Sequence, residues 1–353
     1  MRMGVLDVGS NTVRLVIAET DGSVPLPLHT AKRRLRLSRY VDRGGELPTE
    51  QVERLAAAVE DARREAARWG VRRPFAFATA IVRDAPNRQE VLREVEVRTG
   101  VPLHVLPGEV DAELTFLAAR RWMGWRAGPM AMLDIGGGCF EVAFGRTRLP
   151  DLALSLPLGA GHLTREYFHD QDPPSQERIK ALRRHVRHQL RDVAARIRWE
   201  SPRTTVATSR VFQQLARLCG AAPGREGPFA PRAMTRSDLR RAVDRLAALP
   251  AAERSSLPGI SPARAASSLA GAIVAHTSMK LMDIDEVTVC PWGLREGILL
   301  RCAEEGSTDW WDEAFPSAAP VAGPAPAPAR TPSPAQPRLL HPVGPVGNHP
   351  LLS

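Results

Sequence analysis

The sequence is short of lysine, of paired cysteines and of long apolar runs, and each shortage removes a class of protein. Lys32, Lys180 and Lys280 are its only lysines, so the formal net charge of +9 and the pI near 10.3 rest almost wholly on arginine. Guanidinium stays charged at any working pH and forks onto phosphate or carboxylate oxygens, so partners are expected to be anionic: polyphosphate, nucleotide or nucleic acid. The four cysteines, Cys139, Cys219, Cys290 and Cys302, lie far apart without a CxxC pair, which argues against a zinc site or a disulfide framework and leaves free thiols. No apolar run nears the roughly 20 residues of a transmembrane helix. Met1 leads at once into the strand-like MGVLDV, leaving no room for a signal peptide. A cytoplasmic protein without a membrane partner is the expectation.

What is present is an ordinary globular composition, 43% apolar and 25% charged. A length of 353 residues exceeds one usual core and suits two domains with a cleft. The chain opens strand, polar turn, strand (MGVLDV, GSN, TVRLVIAE), and amphipathic helices and short strands follow as far as Trp122. After Gly128 the theme restarts with PMAMLDI, GGG and CFEVAFG, as in a divergent duplication. The pattern predicts an α/β protein with domains over 1–123 and 124–305. From 306 a Pro/Ala-rich tail lacks the apolar periodicity that would order it, and is expected to be disordered.

The two glycine turns are the candidate sites. A turn between strands aims successive backbone N–H groups into a concavity that binds anions without a side-chain charge. Gly9, Ser10 and Asn11 fit that role on one wall. Gly136, Gly137 and Gly138 fit it on the other, bare of side chains so that phosphate reaches the backbone. Each turn follows an aspartate at a strand end, Asp7 or Asp134, where a hard cation such as Mg²⁺ can be held by oxygen ligands and water.

VLDVGSNTVRLVI and LDIGGGCFEVAFG are similar to the two phosphate motifs of the exopolyphosphatase/guanosine pentaphosphate phosphohydrolase (Ppx/GppA) family, within the actin/sugar-kinase/Hsp70 superfamily. FATAIVRDAPN, VLPGEVDAELTF, LPLGAGHLT, VATSRVFQQLARLCG and CPWGLREGILL resemble further family blocks, so the likeness spans about residues 3 to 302. Arg14 and the Asp-Ile-Gly-Gly-Gly-x-x-Glu form point to this family among actin-like phosphotransferases. The resemblance implies two actin-like (ribonuclease H-like) domains around a cleft, and Mg²⁺-assisted attack of water on a terminal phosphoanhydride of polyphosphate or guanosine pentaphosphate. Carried over by position, Asp7, Asp134 and Glu141 lie near the metal, and Gly9, Ser10, Asn11, Arg14, Gly136, Gly137, Gly138 and Cys139 hold phosphate. Arg83 stabilises developing charge, and Asp111 stands where the family has its catalytic glutamate. Homodimerisation is a family-level expectation.

Three positions depart from the family. Asp111 is one methylene shorter than glutamate, Cys139 replaces a serine, and His162 stands where arginine is common. Glu109 and Glu113 lie about 200° round the helix from Asp111 and do not substitute for it. Two readings stay open: an active hydrolase with Asp111 as base, or a catalytically impaired regulator that binds polyphosphate or a guanosine tetra- or pentaphosphate. A kinase of the same fold is disfavoured for want of an acceptor pocket. The basic run from Arg178 to Arg198 lacks interleaved aromatics, so no specific nucleic-acid partner is expected. It reads as a solvated helix or as a groove for polyphosphate.

Overall fold

Alternation along the central strands decides what faces what. The computed structural model describes residues 2–19, 25–37, 40–42, 44–227, 229–306 and 310. The chain runs β1 (Arg2–Val8), β2 (Thr12–Glu19), β3 (Leu26–Arg34), α1 (Thr49–Arg68), β4 (Phe75–Ala78), α2 (Ala80–Arg83), α3 (Arg88–Thr99), β5 (His104–Val105) and α4 (Gly108–Met123). It continues with β6 (Met130–Ile135), β7 (Phe140–Gly145), β8 (Leu152–Leu156), α5 (Ala160–Phe168), α6 (Gln176–Glu200), β9 (Thr204–Thr208) and α7 (Ser209–Leu218). β10 (Ala233–Thr235), α8 (Arg236–Ala247), α9 (Ala251–Arg254), α10 (Ser268–Leu281), β11 (Glu286–Val289) and α11 (Leu294–Glu305) complete it. The Pro/Ala-rich tail lies outside the described residues, apart from Gly306 and Trp310. No helix among the described residues is long and apolar enough to cross a membrane.

The first sheet has the order β3-β2-β1-β4-β5 and the second β10-β11-β9-β6-β7-β8. Read from its other edge, the second repeats the first: an antiparallel ribbon (β8-β7-β6), then strands parallel to the ribbon's first member (β9, β11). The duplication legible in the two glycine turns is therefore a duplication of topology. The protein is α/β, with two actin-like (ribonuclease H-like) halves around a cleft.

Both sheets bury two faces, as strands covered by helices on each side must. In β1, Leu6 and Val8 pack with α1 and α3, whereas Met3 and Val5 pack with α4 and α11. In β6, Ala131, Leu133 and Ile135 join the core built with α5, α6, α7, α8 and α10, whereas Met130 and Met132 meet Phe116 and Ala119 of α4. Side chains alternate with a period of two. Asp7 therefore shares the face of Met3 and Val5, and Asp134 that of Met130 and Met132. Both aspartates face the layer formed by α4 and α11, from opposite walls.

That layer is tightly packed. A Cβ built on Gly297 of α11 would lie 2.0 Å from the Leu114 carbonyl oxygen of α4. Gly297→Ala must separate the two helices, at an overpacking cost of roughly 1–3 kcal/mol. We expect its melting temperature to fall by about 3–10 °C. An unchanged thermal transition would show that the layer is looser than this contact implies.

Candidate active site

The two glycine turns meet. A Cβ on Gly137 would stand 3.0 Å from Ser10 Oγ, and one on Gly138 would stand 2.4 Å from the Ala80 Cβ of α2. The first turn is set by Gly9 N–H donating to the Thr12 carbonyl (3.0 Å), while the Asn11 carbonyl accepts from Leu35 and Arg36. In the second, Gly136 N–H donates to the Cys139 carbonyl (2.8 Å). The carbonyls of Gly136, Gly137 and Gly138 accept from the N–H groups of residues 159–162 at the start of α5. The α5 N-terminus is thus consumed in orienting the loop. Among the described residues, the N–H groups of Ser10, Asn11, Gly137 and Gly138 have no partner within the chain. Unpaired amides on two facing turns are what a phosphate nest requires.

Strand register builds the walls. On the first, Lys32, Arg14 and Asp7 are successive partners across β3, β2 and β1. On the second, Ser155, Glu141, Asp134 and Thr208 are successive partners across β8, β7, β6 and β9. Topologically equivalent rows thus carry two cations and one carboxylate on one side, and two carboxylates flanked by hydroxyls on the other. Ser155 Oγ donates to Glu141 (2.9 Å), and Thr208 Oγ1 donates to Asp134. Arg295 of α11 donates to Asp7 (2.6 Å), so Asp7 already holds a cationic partner.

Asp111 enters from the first turn of α4, its Oδ1 accepting from Thr115 (3.2 Å). Gly108 makes this approach possible: a Cβ there would fall 2.3 Å from Ser155 Cβ. Burial above all, then Asp134, pushes the Asp111 carboxyl up to about 7, against the pull of Arg83 and Thr115. Burial likewise lifts Asp134 to about 6, opposed by Thr208 and by Arg295. Glu141 is raised well above its ordinary range by burial, then by Asp111 and Asp134. Arg83, largely buried, donates through Nη2 to Cys139 Sγ and through Nε to Asp84 (3.0 Å). Burial drives the Cys139 thiol up to about 11, so it stays protonated.

The residues carried over from the family motifs come together here: both turns, Asp7, Arg14, Arg83, Asp111, Asp134, Cys139 and Glu141; the His162 side chain instead pairs with Glu166 on α5. Sequence reasoning missed the cations around them. Burial, then Arg295, lowers Arg14, and burial, then Arg210, lowers Arg264. Lys32 is lowered by burial, then by Arg14, with Arg210 and Arg264 contributing. Lys32, Arg14, Arg210, Arg264 and Arg295 therefore form one cationic group beside Asp7 and Asp134. Arg210 and Arg295 sat inside blocks already picked out, but nothing in their spacing showed which way they point. Ser209, the first residue of α7, holds φ at +75°. That left-handed, non-glycine conformation is kept where surrounding structure imposes it, commonly at sites of function.

The family description for Ppx/GppA phosphatases matches residues 15–305. This chain belongs to the Ppx/GppA phosphatase family. An uncharacterised protein of Streptomyces coelicolor is 66% identical over 91% of this chain and 97% of its own length. Exopolyphosphatase 1 of Mycobacterium tuberculosis is 44% identical over 85% of this chain and 88% of its own length. Among solved structures, the Aquifex aeolicus Ppx/GppA enzyme superposes with a TM-score of 0.73 at 28% identity, covering 85% of this chain and 99% of its own. An exopolyphosphatase from Cytophaga hutchinsonii, 22% identical over 87% of this chain and 99% of its own, shares the fold with a TM-score of 0.77.

Proposed function

We propose that this Ppx/GppA protein hydrolyses the terminal phosphoanhydride of inorganic polyphosphate, with guanosine pentaphosphate as a second substrate of the same chemistry. The observation that carries this reading is the convergence of two unpaired-amide turns on a carboxylate held near neutrality, Asp111. The amides of Ser10, Asn11, Gly137 and Gly138 cradle the terminal phosphoryl oxygens. Lys32, Arg14, Arg210 and Arg264 balance the charge of the chain behind it. Water attacks the terminal phosphorus: the new O–P bond forms, the bridging P–O bond breaks, and the water proton passes to the Asp111 carboxylate. The shortened chain departs as an oxyanion, its charge met by Arg83 and the loop amides. A base with a pKa near the working pH suits this step, which favours hydrolysis over the reading of an impaired regulator.

The donor set fits Mg²⁺. Asp134 and Glu141 are oxygen donors whose mutual repulsion a hard cation relieves. Among the described residues no three acidic, histidine or cysteine side chains form a ready-made metal cage. One or two carboxylates, with water and substrate phosphate completing the shell, is how Mg²⁺ is usually held. Asp134 and Glu141 would hold it, with Asp7 tied to Arg295 beside them, and the ion would neutralise charge on the transferring phosphoryl group.

The test is phosphate release by the full-length protein from polyphosphate and, separately, from guanosine pentaphosphate, with Mg²⁺ and with chelator. Release from polyphosphate chain ends that chelator abolishes is expected. Tight binding of either substrate without release would overturn hydrolysis and support the regulator.

A further inference from the structure

The basic run on α6 divides once its partners are known. Arg178 is spent on Asp170 (2.7 Å) and the Tyr167 carbonyl, Arg191 on Asp192, and Arg196 on Glu200. Arg183 and Arg187, one helical turn apart, instead line a cavity of about 370 Å³ together with Arg240 and Asp244 of α8 and His276, Thr277 and Lys280 of α10. Nearby acids are engaged elsewhere: Asp238 holds Arg241, and Asp283 and Asp285 hold Arg236. Among the described residues, none of Arg183, Arg187, Arg240 and Lys280 has an ion-pair partner, and Asp244 is the only carboxylate in the lining. Four cations without an ion-pair partner, gathered around one cavity, form a concentrated positive site.

We propose that this cavity is a second anion site, which binds a short inorganic oligophosphate. The volume lies in the range of small-ligand pockets. Two guanidinium groups at i and i+4, with a third and an ammonium opposite, match the spaced, multiply charged oxygens of a phosphoanhydride chain. The buried Thr277 hydroxyl supplies a neutral polar contact. Burial, then Arg183 and Lys280, lowers His276, so the imidazole is neutral and offers a hydrogen bond rather than a further charge. Among the described residues, no phenyl or indole ring lines the cavity to stack a nucleobase, which favours the inorganic chain over a nucleotide. The site is distinct from the cleft: α6, α8 and α10 cover the face of the second sheet opposite α4, and none of the lining residues belongs to the two turns. Recognition alone is inferred, with no bond made or broken.

The test uses the full chain and a methylene-bridged triphosphate analogue, which cannot be hydrolysed, with the His276 imidazole NMR signals as local readout and calorimetry for stoichiometry. Two equivalents are expected, one of which moves the His276 signals. In the Arg183→Gln/Arg240→Gln variant that equivalent should weaken at least about tenfold, the loss expected when charge-assisted contacts are removed. Lys280→Gln, at an exposed position, gives the same direction if the double variant is unstable. Unmoved His276 signals in the wild type, or unchanged binding in both variants, would overturn the site. Guanosine tetraphosphate moving His276 at lower concentration than the analogue would overturn the choice of an inorganic chain. Loss of hydrolysis in the cleft leaves this readout untouched, so the two proposals fail separately.

Discussion

Asp111→Asn is expected to reduce turnover about 10²- to 10⁴-fold, the usual worth of a positioned general base, and at pH 8 to raise the melting temperature. Asparagine keeps the shape and can still accept from Thr115, but it cannot take the proton of attacking water. The stability gain follows from linkage. Burial, then Asp134, lifts the folded-state pKa from 3.8 to about 7. Between those values the folded protein holds a proton that the unfolded chain has released, so stability falls as pH rises through this window and stays low above it. Asp134, lifted to about 6, and Glu141 act in the same sense. In chelator, wild-type stability should decline from pH 4 toward pH 7. The asparagine variant should match the wild type near pH 4 and exceed it at pH 8. Asp111→Glu, which restores a carboxylate, should keep turnover well above that of the asparagine variant. Wild-type turnover in Asp111→Asn would remove Asp111 from the chemistry. A melting-point difference independent of pH would mean that packing, not titration, separates the two proteins.

Gly159→Ala is expected to damage the phosphate turn itself. Gly159 has φ −69° and ψ 144°, a conformation that alanine adopts freely, so the cost lies in contact alone. Its Cβ would stand 2.2 Å from the Gly138 carbonyl carbon and 2.5 Å from the Cys139 nitrogen, both backbone atoms that no rotamer change can move aside. The second turn must therefore shift, and its amides lose their aim at the terminal phosphoryl group. A displacement near 1 Å costs on the order of 10² in rate, and overpacking adds roughly 1–3 kcal/mol of instability. Steady-state phosphate release and thermal melting measure the two effects. Gly224→Ala, where nothing lies within 4 Å, is the neutral control. If Gly159→Ala turns over like that control, the aim of Gly137 and Gly138 does not matter to the reaction.

Much of the site was legible before the fold. Alternating strands ending in Asp7 and Asp134, each followed by small residues, marked both turns because glycine and short polar side chains are what a backbone anion nest demands. Asp111 stood out by its block. Less legible were the helices that close the site. α11 follows the second sheet in sequence yet packs on β1, since an apolar stripe shows that a helix is covered without showing by which sheet.

The sequence by itself determined the α/β class, the duplicated turns and the arginine-borne positive charge, because these follow from local periodicity, backbone permissiveness and composition. Only the tertiary structure decided the rest. Strand register set Lys32 and Arg14 beside Asp7, and Ser155 and Thr208 beside the carboxylates. Burial between two walls brought the Asp111 carboxyl near neutrality. Long-range packing gathered Arg210, Arg264 and Arg295 at the cleft, and left Arg183, Arg187, Arg240 and Lys280 unpaired around a cavity. Spacing along a chain records which face a residue shares with its neighbours, whereas the charge opposite it and the water removed from it depend on segments far away in sequence.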